Sequence, residues 1–383
     1  MVERSRGRLT EIYLDWNATT PPHPDVLAAM VRAWESGWGN PASVHGVGRR
    51  ARAVVEAVRE QIARTLSVEG RDVVLTSGGT EANNLALQGV CGLATTRLEH
   101  PSVTRVAEAL ALRGVPVVWI PATPGGQVDV DGVGPALAQL PRGSTVALAA
   151  VNHESGVIQP VREVARAAWT AGARIHVDAV QALGKLPPNE YLHGDSYAVA
   201  AHKLRGPKGV GALAWRGGAA PRPVLLGGAQ ERGLRPGTQD AVTAAGFGAA
   251  IARVAEGPER YQELATLRDR LEQGLRDFGR SNGDAAVRAP HVLNVSFLGW
   301  RGDELVAALD LEGIRVSSGS ACSAGTAEPS SVVAAMLGVE RARSAVRFSL
   351  GETTTAEEID EVLAVCHQVL DTASDRGGEQ HLE

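Results

Sequence analysis

Short apolar runs alternate with amphipathic, helix-like stretches from about residue 25 to about residue 250. DVVLT (Asp72–Thr76), TVALAAV (Thr145–Val151), ARIHVDA (Ala173–Ala179), SYAVAA (Ser196–Ala201) and VGALAW (Val210–Trp215) each read as a strand. These runs are nearly unbroken in their apolarity, which fits strands covered on both faces. Strands that take turns with helices predict an α/β layered domain on a mostly parallel sheet.

The texture changes after about residue 250. A charged helix over Tyr261–Phe278 is followed by the strand HVLNVSF and a helix from Asp303. Then come the strand IRVSS, a loop, a helix over Val332–Leu337, the strand AVRFSLG and a last helix from Ala356. The expected organisation is a large domain over 13–252 and a small α+β domain over 253–375. The N-terminal segment 1–20 is expected to join the small domain, and 376–383 to form a frayed polar tail.

Composition narrows the function classes. At 383 residues the chain exceeds one ordinary domain. It is 44% hydrophobic and 21% charged, as expected of a globular protein. A net charge of -5 leaves no basic excess for neutralising nucleic-acid phosphates. No apolar run reaches the roughly 18 residues that a membrane span needs, and the N-terminal stretch has no apolar signal core. Cys91, Cys322 and Cys366 are widely spaced and odd in number. They predict a reducing, cytoplasmic setting with no disulfide framework and no metal site. Cys91 and Cys366 fall on helix-like segments and read as core filler.

Candidate chemistry gathers at strand ends. SGGTEANN places a Gly-Gly turn and Thr80 at a helix start, which suits an anion or a plain N-cap. Asp178 ends an apolar strand, where a carboxylate needs a cationic partner such as a pyridinium, or caps a helix. The chain has only three lysines, Lys185, Lys203 and Lys208, against 35 arginines. Two of them fall in AAHKLRGPKG, after another apolar strand. A lysine in a partly dry pocket loses its proton and becomes an amine nucleophile, which arginine never does. SSGSACSAGTAEPSS packs little apolar surface, so Cys322 reads as an exposed thiol on a mobile loop. The Gly-rich stretch Gly227–Asp240 holds Arg232, Arg235 and Thr238 and suits an anion or a subunit contact. Arg347 begins an apolar strand as a carboxylate clamp or an ordinary ion pair.

Six ordered motifs together resemble the cysteine desulfurases of the NifS/IscS type, within the class-V aminotransferase group of pyridoxal phosphate (PLP) enzymes. They are YLDWNATTP, GNPASVH, TSGGTEANN, HVDAVQ, HKLRGPKGVGAL and SSGSACSAG. The resemblance implies the fold-type-I architecture and pyridoxal 5'-phosphate as cofactor. It implies that Lys203 bonds the cofactor, Asp178 pairs with its ring nitrogen and Gln181 meets its phenolic oxygen. His100 matches the histidine that stacks on the ring and carries protons near neutral pH. Gly79, Thr80 and His202 match the phosphate site, and Arg347 and Asn17 the substrate site. Thr238 matches a phosphate contact lent by the other subunit, which implies a homodimer.

Cys322 matches the thiolate that takes the sulfur of L-cysteine as a persulfide, leaving alanine. An acceptor protein would dock near its loop. Iron–sulfur cluster assembly, tRNA thiolation and DNA phosphorothioation are the pathways this family supplies. Selenocysteine lyase, or another C–S lyase, is the alternative activity. Two positions depart from the family pattern: Ala200 replaces a phosphate-binding serine, and His153 replaces a ring-contacting asparagine. Both bear on cofactor affinity and rate more than on reaction class.

Overall fold

The structure is a computed structural model that describes residues 11–218, 220–297, 299–319 and 329–377, with side chains as far as 371. Its centre is a seven-stranded sheet. After the short N-terminal strand β1 (Ile12–Tyr13) come β2 (Val73–Thr76), β3 (Leu93–Thr96), β4 (Val117–Ile120) and β5 (Thr145–Ala149). The sheet continues with β6 (Arg174–Asp178), β7 (Ser196–Ala200) and β8 (Gly211–Trp215). The order is β2-β8-β7-β6-β5-β3-β4, and β8 runs antiparallel to both neighbours while the other pairs are parallel. The mostly parallel sheet expected from the apolar runs is therefore present. Strands β2, β3, β5 and β8 are buried at every position, as two-sided cover requires.

Helix α1 (Pro24–Ser36) packs on α2 (Gly46–Leu66) and α7 (Ala241–Ile251), and α2, α7, α3 (Gly79–Leu87), α4 (Pro101–Leu112), α5 (Val133–Leu137) and α6 (Val161–Thr170) cover this sheet. In α2 the buried Ala51, Val55, Val58, Ile62 and Leu66 recur at helical spacing and face the sheet core. The next helix, α8, spans Gly257–Leu275. It starts before the expected Tyr261 because Pro258 sits in its first turn, where proline's fixed φ suits a helix start.

A second apolar cluster gathers Ile12 and Leu14 with Tyr261, Leu264, Phe297, Phe348 and Ile359. Its sheet has the order β12-β10-β9, with β9 Gly279–Ser281, β10 Val292–Phe297 and β12 Ala345–Ser349. The N-terminal β1 pairs with β11 (Ile314–Arg315), which ties the start of the chain to this C-terminal part. Among the described residues no helix is long and apolar enough to cross a membrane.

Candidate active site

The carboxyl ends of β5, β6 and β7 open into one cavity. That is where open α/β sheets collect ligands, in the crevice outside the carboxyl ends of their strands. Among the described residues, every candidate for the catalytic, cofactor and substrate sites except Thr238 lines it.

Asp178, the last residue of β6, is only 7% exposed. Its Oδ1 accepts from the Val180 N–H at 3.0 Å and its Oδ2 from Asn83 Nδ2 at 2.7 Å. It is therefore not a helix N-cap, since no helix follows it. Lys203 ends the single turn Ala201–Lys203 that leaves β7. Its Nζ donates to the carbonyls of Ala18, at 2.8 Å, and of Asn17. Beside it, His202 Nδ1 lies 3.1 Å from Thr19 Oγ1. Burial, then the Lys203 charge, lowers the His202 pKa to about 4.

Gln181 is fixed from both ends. Its Nε2 donates to the Asn17 carbonyl at 3.0 Å, and its Oε1 accepts from Lys185 Nζ at 2.6 Å. Lys185 is 1% exposed, and burial followed by the charges of Lys203 and Arg347 pushes its ammonium well below the ordinary range. So two of the three lysines belong to this site, one lining it and one behind it. Asn17 donates from Nδ2 to the His153 carbonyl at 3.2 Å and meets His291 Nε2 at 3.0 Å through Oδ1.

Arg347 is an ion pair in part: one terminal nitrogen meets Asp15 Oδ1 at 2.5 Å, and the other donates to the His153 carbonyl at 2.9 Å. Its Nε is buried without a partner among the described residues. The His100 and His153 rings stand edge to face with centroids 5.0 Å apart. His100 was expected to titrate near neutrality, yet burial, then the neighbouring His153, lowers it to about 4. At neutral pH it is an uncharged imidazole.

At the cavity floor, Gly78 has no side chain to cap α3, so first-turn N–H groups are left for a ligand. Glu81 in that turn is neutralised by Arg235 at 3.0 Å. Gly79 is required here, because a Cβ on it would stand 2.7 Å from Val180 Cγ2. Ala200, 2% exposed, faces the same floor. The variant Ala200→Ser adds a hydroxyl there and should slow cofactor loss on dilution by about two- to tenfold, the worth of one net hydrogen bond. Cofactor fluorescence during dialysis measures this.

Thr238 is exposed and lies outside the cavity. Its loop is pinned by the buried Glu231, which accepts from Arg59 at 2.6 and 2.8 Å and from the Leu75 N–H at 3.0 Å. Cys322 lies outside the described residues. The described flanks of its loop, Gly319 and Ser330, both lie beside Glu154, next to His153. Ser317 exchanges backbone hydrogen bonds with Arg347. Cys91 corrects an expectation: its thiol is exposed, whereas Cys366 is buried in the second apolar cluster. Helix α3 ends at Leu87, so Cys91 falls in the bend before β3 rather than on a buried face.

Residue-level reading of the sequence missed Asn83, Ser102, Asp15 and Lys185 as site components. Asn83 carried a signal, since it stands one helical turn after Gly79 and Thr80 and so shares their face.

A lysine and a carboxylate at adjacent strand ends, above an uncapped helix start, fit a phosphorylated ligand with a cationic ring. The class-V aminotransferase family model matches residues 12–362, and the chain belongs to that family of PLP enzymes. A protein named cysteine desulfurase IscS from Dictyoglomus turgidum is 36% identical over 378 residues, 94% of this chain and 95% of the relative. A solved NifS-like protein superposes with a TM-score of 0.86 at 33% identity, covering 95% of this chain and all of that one. A structure described as SspA in complex with cysteine has a TM-score of 0.75 at 27% identity, over 90% of this chain.

Proposed function

We propose that this chain is a PLP-dependent cysteine desulfurase, converting L-cysteine to L-alanine and holding the sulfur on Cys322 for transfer to an acceptor. The observation that carries the reading is the meeting of Lys203 Nζ, the Asp178 carboxylate and the α3 N-terminus in one cavity. The desulfurase names of the relatives and the bound cysteine of SspA support it.

The cavity residues fit PLP. Gly79, Thr80 and His202 would hold the phosphate, since the α3 N–H groups there lack a side-chain cap. Asp178 would hold the ring nitrogen, with both oxygens already oriented by donors. The second Nε2 proton of Gln181 would meet the phenolic oxygen, because its first goes to Asn17 and its Oε1 to Lys185. His153 would meet the same part of the ring, and Lys203 would carry the cofactor covalently. When bound, PLP supplies an electron sink for the pair freed at the substrate Cα.

The chain's own residues do the rest. Arg347 and Asn17 orient the substrate carboxylate, with the unpartnered Nε of Arg347 as the donor left for it. Lys203 moves the proton at the substrate Cα once its amine is displaced. The Cys322 thiolate attacks the substrate sulfur: an S–S bond forms and the Cβ–S bond breaks, with the electron pair returning to Cβ. Gly319 and Ser330, the described residues on either side of that loop, both lie beside Glu154, next to the cavity residue His153.

The sites are proposed to work in a homodimer that brings Thr238 to the partner's phosphate. Leu27, Val31, Trp34 and Trp38 are exposed along one face of α1 and the turn after it. Val224, Leu225 and Leu226 are exposed on the way into the Thr238 loop. Apolar surface of this extent marks a contact face. Leu226→Glu should shift the mass seen by light scattering from dimer toward monomer and weaken cofactor retention, because a buried unpaired charge is costly at an interface. An unchanged dimer would exclude Leu226 from the contact.

The proposed activity is tested by incubating holoenzyme with L-cysteine and a reductant. Alanine and sulfide in equal amounts support it. Pyruvate in place of alanine would mean elimination chemistry and overturn it. Competition with selenocysteine separates the lyase alternative.

A further inference from the structure

We propose that Asn83 is a positioning residue that orients the Asp178 carboxylate and, through Ser102, fixes His100 in the tautomer with its proton on Nε2. Its consequence for catalysis rests on the cofactor-site reading above; its hydrogen-bond logic does not.

Asn83 is 1% exposed and Asp178 accepts only, so the atom 2.7 Å from Asp178 Oδ2 must be the Asn83 amide nitrogen. That fixes the amide orientation. Asn83 Oδ1 then accepts from His176 Nε2 at 3.0 Å, and His176 Nδ1 accepts from Ser196 Oγ at 2.8 Å. The buried His176 therefore serves as a neutral prop. The second amide proton of Asn83 goes to Ser102 Oγ at 2.8 Å. Ser102 Oγ thus accepts from Asn83, and its own proton points to His100 Nδ1 at 2.8 Å. The Ser102 backbone N–H aims at the same nitrogen at 3.1 Å, because His100 caps α4. Two donors converge on Nδ1, so Nδ1 is the lone-pair nitrogen and Nε2 carries the proton.

His100 accordingly carries its proton on Nε2 in the resting enzyme. That nitrogen acts as a donor, and taking a proton there would require a tautomer change that breaks the α4 cap. The same node couples the two faces of the site: what holds Asp178 also sets His100.

Ring-15N-histidine holoenzyme, with His100→Gln to assign the signal, tests this in long-range 1H–15N spectra. The expected result is an unprotonated Nδ1 and a protonated Nε2 at His100. A proton on Nδ1 in the wild type overturns the inference, and this reading needs no Asn83 variant. Asn83→Asp, isosteric but lacking the donor, should weaken PLP binding at least about tenfold more than Asn83→Ala. A space-filling role would make the aspartate the milder change, and that order also overturns the inference. Alanine formation can fail while the spectrum holds, so the two proposals fail separately.

Discussion

Lys203→Ala should abolish alanine formation, lowering kcat by about a thousandfold or more, the upper part of the range for losing a positioned proton carrier. The chain should still fold. Lys203 Nζ serves the carbonyls of Asn17 and Ala18, but Thr20 stays bonded to the His202 carbonyl through both its N–H, at 3.1 Å, and its Oγ1, at 2.9 Å. The expected stability cost is on the order of 1 kcal/mol, measured as a shift in Tm. Borohydride should fix PLP to the wild-type chain through denaturation and leave the variant free of it. Retention of a reduced adduct by Lys203→Ala would move the attachment to another lysine. Lys185 is the structural rival, being buried behind Gln181 and held well below the ordinary ammonium range.

Asp178→Asn should lower kcat by about a hundredfold or more, the cost of removing one preorganised charge from a dry site. The substitution is not conservative here. Asp178 accepts from Val180 N–H on one oxygen and from Asn83 Nδ2 on the other. An asparagine has one oxygen, so its NH2 must face a donor, or Asn83 must turn and lose His176. Cofactor affinity and kcat should fall together, read by fluorescence titration and by alanine assay. A variant with full affinity and full kcat would remove Asp178 from the ring nitrogen.

The sheet and the strand-end chemistry were legible because both are local. An unbroken apolar run identifies a two-sided strand, and a charged residue at its end identifies the place where a ligand is expected. Lysine scarcity singled out AAHKLRGPKG, and Lys203 does lie in the cavity while Lys208 does not. What stayed hidden joins distant positions. Arg347 meets Asp15 across 332 residues, and Asn83 meets Asp178 across 95. No periodicity carries such pairings; they exist only once the sheet stacks its strand ends. His100 shows the same limit from another side, since its low pKa comes from burial and from His153 rather than from neighbours in sequence.

The most direct measurement concerns Cys322. Holoenzyme is mixed with L-cysteine without reductant, quenched by alkylation, digested and examined by mass spectrometry. The account predicts that the peptide holding Cys322 gains one sulfur atom, that alanine appears in equal amount, and that Cys322→Ala makes neither under single turnover. An unmodified Cys322 peptide alongside full alanine formation, or a sulfur found on Cys91 instead, would contradict it.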